Sequence, residues 1–261
     1  MSNPFSTKKP AGKRISSAQM PSGVVGLHAL PLIYLNIPKS ACSTIKNHLY
    51  YIEHGKYAPD PLGIHSIDGL IKSKDGGPGA SSHFTRVLAR KHLVFTFVRH
   101  PGKRAYSCFS EKIVQISKYS FPKVREHLVS DYGCDFSGID VAQYDLDVHR
   151  RNFVAYLRFV KANRLGETPM RRDAHWESQT AMIKKFESDF FIDFIGRVED
   201  FQKHFEFILS ELKCEKMPDL NLRFNEGPTP PFTYDQILDD EVEDLLLEIY
   251  RADFMKLGYR R

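Results

Sequence analysis

Lys39 is followed by Ser40, Ala41, Cys42, Ser43 and Thr44, a run that sets one mobile positive charge beside three hydroxyl groups. These are the residue types that hold a phosphate or a phosphosulfate, as charge-assisted hydrogen-bond donors. A second cation, Arg99, follows an apolar run in the same way and precedes Pro101. Neither stretch has the G-x-x-x-x-G-K-[ST] spacing of an ATP-binding loop.

The elements that must position these residues follow from the patterning. Residues 32–37 are rich in aliphatic and β-branched side chains, end at Pro38, and lead into a helix whose Ile45, Leu49 and Ile52 share one face. Such a strand-turn-helix aims helix N–H groups and the positive end of the dipole at an anion over the turn. Residues 92–98 form a second, nearly continuous apolar run suited to the centre of a parallel sheet. Pro101 then opens a helix expected to reach about residue 118. A third strand is expected over 190–195, followed by a helix with Phe201, Phe205, Ile208, Leu209 and Leu212 on one stripe. Further helices are expected over 145–163, 177–187 and 239–257, the last with an acidic start and Gly258 after its end. Strands alternating with helices indicate a three-layer α/β fold with a central, mostly parallel sheet flanked by helices, whose ligands bind at the carboxyl ends of the strands.

Composition narrows the class. A chain of 261 residues, 42% hydrophobic, suffices for one sizeable core, and the expected organisation is a polar, disordered tail over 1–25 and a single domain over 26–261. The net charge of +5, from 37 basic and 32 acidic residues, suits an anionic ligand, while the absence of basic clusters interleaved with aromatics argues against nucleic acid. Cys42, Cys108, Cys134 and Cys214 are widely spaced and make neither a CxxC pair nor a metal-ligand pattern. With no apolar run of about 18 residues and no signal peptide in the polar first 22, the expectation is a cytoplasmic protein, Golgi-luminal only if a membrane anchor has been removed. Residues 53–90 read as irregular, with a Gly- and Ser-rich stretch at 72–82, and serve equally well as a lid over a site or as a surface insertion. Residues 215–235, rich in proline, read as irregular too.

The chain carries five patterns in order: the P-K-x-A-C-T-like turn over 38–44, R-x-P-x-x-R-x-x-S over 99–107, D-x-H-W-x-x-Q over 173–179, D-F-I-G-x-x-E over 193–199 and Y-x-x-D-F-x-x-x-G-Y over 250–259. Together they resemble the sulfotransferases that use 3′-phosphoadenosine 5′-phosphosulfate, in particular the carbohydrate (Golgi-type) family 2 enzymes and their bacterial relatives. The resemblance implies a P-loop NTPase-like architecture and transfer of a sulfuryl group to a hydroxyl, on a carbohydrate, without a metal. It further implies that Lys39 with Ser40, Ala41, Cys42, Ser43 and Thr44 holds the 5′-phosphosulfate, and that Arg99 and Ser107 hold the 3′-phosphate.

Activation of the acceptor calls for a base near a sugar hydroxyl, and histidine suits neutral pH. His65 and His83 lie between the two nucleotide elements, where some relatives place a catalytic histidine; His83, beside the second strand, is preferred, and a solvated loop histidine is the plain alternative for each. His175, next to the only tryptophan, reads equally as an acceptor-site residue and as a ring packed on Trp176. Arg104 could touch phosphate or pair with a carboxylate, His100 is a doubtful catalyst, and Asn225 could help close a loop over the nucleotide. A P-loop kinase or NTPase is the competing enzyme reading, weakened by the missing loop spacing and the lack of a magnesium-binding carboxylate after a strand. A non-catalytic module for anionic polysaccharide or nucleotide is the third.

Overall fold

The computed structural model describes residues 23–61, 63–65, 71–72, 91–139, 144–224 and 230–260. In chain order its elements are β1 (Val24–Gly26), β2 (Leu32–Leu35), α1 (Cys42–His54), β3 (Ile71–Lys72), β4 (Leu93–Val98), α2 (Pro101–Cys108), a π-helical turn (Phe109–Val114), α3 (Pro122–Tyr132), α4 (Leu146–Leu165), α5 (Gln179–Glu187), β5 (Phe194–Arg197), α6 (Phe201–Glu211), α7 (Tyr234–Ile237) and α8 (Asp240–Lys256). They fall into two compact units, residues 1–98 with 183–225 and residues 99–182 with 226–261.

The first unit holds the sheet, in the order β3-β1-β2-β4-β5. The three strands read from the sequence form its parallel part, β2 beside β4 and β4 beside β5. The mixed character comes from β1 and β3, which pair antiparallel at the far side. These strands are three and two residues long, too short to show a period of two, so nothing in the pattern announced them. The strand β3 also lies in the stretch expected to be irregular.

Alternation along the parallel strands sends Leu32, Tyr34, Leu93, Phe95 and Phe97 to one face, where they pack with Ile45, Leu49 and Ile52 of α1 and with Phe201, Phe205, Ile208 and Leu209 of α6. Packing is close at Gly196, where an added Cβ would stand 2.6 Å from the Phe97 ring, so only glycine lets β5 lie there. The third strand begins later than the apolar run indicates. Phe190 donates its N–H to the Phe186 carbonyl and closes α5, while Asp193 brackets Val94, donating N–H to its carbonyl at 2.8 Å and accepting its N–H on Oδ2 at 2.7 Å. The aspartate thus sets the register at which β5 joins β4.

The second unit is helical, and its core is drawn from α2, the π-helical turn, α3, α4 and α8. The helix expected to run from Pro101 to about residue 118 loosens into the π turn at Phe109 and stops at Val114. It stops because Arg125 of α3 caps the carbonyls of Ile113 and Val114 at 2.9 and 2.8 Å. Helix α3 was not foreseen; its apolar stripe is reduced to Val124 and Leu128. The other helices start where side-chain caps place them, Asp145 accepting from Val148 N–H and Asp239 from Val242 N–H.

At the centre of this unit a buried polar chain is fully satisfied. Asn152 donates to the Tyr144 hydroxyl at 3.3 Å, Tyr144 donates to His149 Nδ1 at 2.9 Å, His149 Nε2 donates to the Tyr106 hydroxyl at 3.0 Å, and Tyr106 donates to the Phe232 carbonyl. Counting donors in this order fixes the Nε2–H tautomer of His149. Burial pushes that imidazole down to about 4, so it stays neutral near pH 7.

Candidate functional site

The first candidate stretch is a turn held in an uncommon conformation. Lys39 and Ala41 both have positive φ, 67° and 59°, in the left-handed region that costs a residue with a Cβ of order 1 kcal/mol or more. Ala41 is the N-cap of α1, offers no side-chain cap, and is followed by a first turn without an acidic residue. A left-handed turn opening directly into a helix gathers backbone N–H groups into a concavity for an anion. Strain at two positions, one residue apart, is the cost of that shape. Ser40 is fully buried, and Ser43 and Thr44 nearly so, so the turn is packed in place and not a surface loop. The Thr44 hydroxyl is already engaged, accepting from Phe224 N–H at 3.1 Å and donating to the Phe224 carbonyl at 3.2 Å; it tethers the 219–224 segment to α1.

One turn further along α1 are two ionisable residues to which the sequence gave no role. Lys46 is 7% exposed, and burial lowers its pKa, with Cys42 acting in the opposite sense. His48 is fully buried among the rings of Tyr57, Phe201, Phe205 and Phe224. Burial, reinforced by Arg223, pushes its imidazole down to about 4.

The second candidate stretch leaves β4 at Val98. Since β2 and β4 are parallel neighbours, with Leu35 opposite Thr96, the Lys39 turn and the Arg99 residue each follow the carboxyl end of a central strand, where open α/β sheets bind ligands. Arg99 is clamped at its backbone: Gln179 Oε1 accepts its N–H at 2.9 Å, and Gln179 Nε2 donates to its carbonyl at 2.8 Å. Such reciprocal pairing fixes the peptide that carries the guanidinium. Ser107, on α2, is half-buried and follows the hydrogen-bonded Tyr106.

Four of the five sequence patterns contribute to one network in this unit or to the sheet register. Arg104, 1% exposed, donates to the carbonyls of Glu177 and Ala174 at 2.7 and 2.9 Å. Tyr250, where α8 kinks at φ −120°, donates its hydroxyl to the Trp176 carbonyl at 3.0 Å. Asp253, fully buried, receives Ser178 Oγ, Gln179 N–H, Thr180 N–H and Thr180 Oγ1 at 2.6 to 2.9 Å. The C-terminal pattern therefore caps α5 and holds the 173–179 segment, which in turn holds Arg99. Within that segment the Trp176 indole donates to Asn163 Oδ1 at 2.8 Å.

His175 is not stacked on Trp176. Its ring meets the Phe121 ring edge-on with centroids 5.2 Å apart, and its Nδ1 lies 2.6 Å from Asp173 Oδ1. The same carboxylate oxygen accepts the His175 backbone N–H at 2.9 Å. Burial alone would raise the Asp173 carboxyl, but these bonds hold it below the usual carboxylate range. His100 packs against Phe254 and Tyr259, which accounts for it as a structural residue. His65 closes a 3₁₀ turn, Gly63–His65; its side chain, together with His83, Asn225, the Gly- and Ser-rich stretch at 73–82 and the tail over 1–22, lies outside the described residues. Among the described residues there is no group of three or more His, Cys, Asp or Glu placed to hold a metal ion, and no helix long and apolar enough to cross a membrane.

Mouse carbohydrate sulfotransferase 11 is 24% identical over 236 residues, which cover 87% of this chain and 64% of that protein. The rat protein of the same name matches to the same extent. Mouse carbohydrate sulfotransferase 12 is 22% identical over 250 residues, 87% of this chain and 58% of its own length. The chain thus spans less than two thirds of the length of these curated relatives. No solved structure matches it. The model of the sulfotransferase family matches residues 28–260, from just after β1 to the last described residue, and the chain belongs to that family.

Proposed function

We propose that this protein transfers the sulfuryl group of 3′-phosphoadenosine 5′-phosphosulfate to a hydroxyl of a carbohydrate by in-line displacement. The observation that carries the reading is the placement of a left-handed, acid-free turn after β2 and a backbone-clamped arginine after β4, its parallel neighbour, in a chain of the sulfotransferase family. Lys39, with the turn from Ser40 through Ala41, Cys42 and Ser43 to Thr44, holds the 5′-phosphosulfate, and Arg99 and Ser107 hold the 3′-phosphate. Negative charge grows on the bridging oxygen as it leaves with the phosphate, so a lysine and helix N–H groups at that oxygen stabilise the transition state more than the ground state. A histidine takes the acceptor proton; chain order offers His83 and His65 for this step. No metal is required by this chemistry.

The names of the relatives support a saccharide acceptor, and the family match, continuous across both units, supports one functional domain of P-loop-like architecture. Cys42, Cys108, Cys134 and Cys214 are free thiols. The test is transfer of labelled sulfate from the donor to a panel of glycans and small alcohols, with donor-dependent thermal stabilisation measured alongside. Wild-type transfer that falls by at least about a hundredfold in Lys39→Ala is expected. Absence of both transfer and stabilisation overturns the proposal, and stabilisation without transfer assigns the chain to the non-catalytic binding modules.

A further inference from the structure

We propose that residues 219–224 are a strap on α1 that lets go when His48 takes up a proton, and that its release frees the hydroxyl of Thr44 in the first turn of that helix. Every part of the device lies in the first unit, and it operates whatever anion the Lys39 turn holds. His48 is 0% exposed, and neither of its ring nitrogens has a hydrogen-bond partner among the described residues. Four rings wall it in: Phe201 and Phe205 of α6, with centroids 5.9 and 5.8 Å away, Tyr57 at 6.0 Å, and Phe224 edge-on at 5.7 Å. An imidazole so placed is housed at least cost when neutral, since a charged ring would be cut off from water in surroundings made mostly of aromatic carbon.

The walls of this cage differ in how they are held. Phe201 and Phe205 belong to the core that also contains Ile45, Leu49 and Ile52 of α1. Phe224 belongs to a segment with neither helix nor strand, in which Asn221, Leu222 and Arg223 are exposed and only Leu220 reaches that core. The remaining ties of the segment are local. Thr44 holds Phe224 by two hydrogen bonds, Asp219 N–H donates to the Tyr57 hydroxyl at 2.8 Å, Gln202 Nε2 donates to Asn221 Oδ1 at 2.6 Å, and the Arg223 guanidinium lies 4.7 Å from the Phe201 centroid. Phe224 therefore closes the cage of His48 and engages Thr44, one turn earlier on α1, at the same time. The cage cannot open on that side without giving up the Thr44 hydroxyl.

The charges acting on the ring both sit on the strap: Arg223 opposes a proton and Asp219 favours one, as does the Leu222 carbonyl. From α6 the ring meets Phe201 and Phe205, and from the chain after α1 it meets Tyr57, a phenol whose pKa burial raises. Burial is the largest of these influences and holds the imidazole of the closed cage at about 4, whereas with the strap open it regains the roughly 6.5 of a solvated histidine. The open form thus binds the proton first as pH falls, and closure weakens progressively from about pH 6.5 downward.

The experiment measures amide-exchange protection factors for Phe224 and Asp219, with the ladder amides of β4 as reference, at pH 7 and pH 5 in the full chain and in His48→Leu. The His48 ring is followed by NMR in the wild-type chain over the same range. The strap amides are expected to be less protected than those of β4 at both pH values and to lose about twentyfold in protection between pH 7 and pH 5, with the His48 titration following that loss. In His48→Leu, whose apolar side chain takes no proton, strap protection should stay level. Strap amides that exchange only together with those of β4, or a pH-dependent loss that survives in His48→Leu, overturn the proposal. If His48→Leu fails to fold, Thr44→Val, which removes both bonds to Phe224, takes its place. It should lower Asp219 protection at pH 7 and move the His48 titration toward that of a solvated histidine, and an unchanged titration overturns the proposal equally.

Discussion

Replacing Asp253 tests whether the C-terminal pattern holds the proposed nucleotide site together from a distance. Its Oδ1 receives Ser178 Oγ, Thr180 N–H and Thr180 Oγ1, and its Oδ2 receives Gln179 N–H at 2.8 Å. In Asp253→Ala the two hydroxyls keep each other as partners, since they are already 2.8 Å apart, but the N–H groups of Gln179 and Thr180 are left buried without acceptors. At roughly 1–3 kcal/mol for each orphaned donor, the loss is about 2–6 kcal/mol. Asp253→Asn keeps Oδ1 and sets an amide N–H₂ against only one donor, Gln179 N–H, for about 1–3 kcal/mol. The same change frees the residue that clamps Arg99. If the ligand must supply about 1.4 kcal/mol to restore that turn, nucleotide affinity falls about tenfold. Urea denaturation, amide exchange at Gln179 and Thr180, and calorimetric titration with 3′-phosphoadenosine 5′-phosphate read these effects separately. An Asp253→Ala protein within about 0.5 kcal/mol of wild type, with both amides still protected, would refute the reasoning.

Two further outcomes follow from close packing and from buried histidines. At Gly102 an added Cβ would lie 2.1 Å from the Tyr234 hydroxyl and 2.9 Å from Leu246 Cδ1; Gly102→Ala should destabilise by about 1–3 kcal/mol, and Tyr234→Phe in the same chain should recover part of it, as a double-mutant cycle in urea would show. His48 and His149 both have folded-state pKa values of about 4, below the roughly 6.5 of an unfolded histidine. The unfolded chain therefore binds protons first as pH falls, so stability is full above about 6.5 and is lost progressively down to about 4, where both states are protonated. Between pH 7 and pH 5 each residue should contribute a loss of about 2 kcal/mol, and His48→Leu should flatten the measured dependence by that amount; an unchanged slope would contradict the burial argument.

Local chemistry was legible in the sequence wherever it acts through neighbours along the chain. The apolar runs placed β2 and β4, Pro101 placed the start of α2, and Asp145 and Asp239 stood where helices begin. Lys39 and Arg99 could be singled out only as a pair, each following an apolar run and each inside one of the patterns that occur in order along the chain. Patterning also indicated the parallel part of the sheet. It could not indicate β1 and β3, whose pairing is decided by what lies beside them. It placed the third strand too early because an apolar run does not distinguish the end of α5 from the start of β5; Phe190 belongs to one and Phe194 to the other.

The site divides the same way. Residue type and spacing alone marked the turn proposed to hold an anion and the family to which the chain is similar. Only the tertiary structure showed that Gln179 clamps Arg99 across 80 residues and that Asp253 holds Gln179 across 74. Those bonds join side chains to backbone groups far along the chain, and no periodicity encodes such a partner. The orientation of His175 toward Asp173 and away from Trp176 was also decided there, because Arg104 and Tyr250 fix the carbonyls on either side of the ring. Sequence named the charges; distant hydrogen bonds decide which of them are held in place to act.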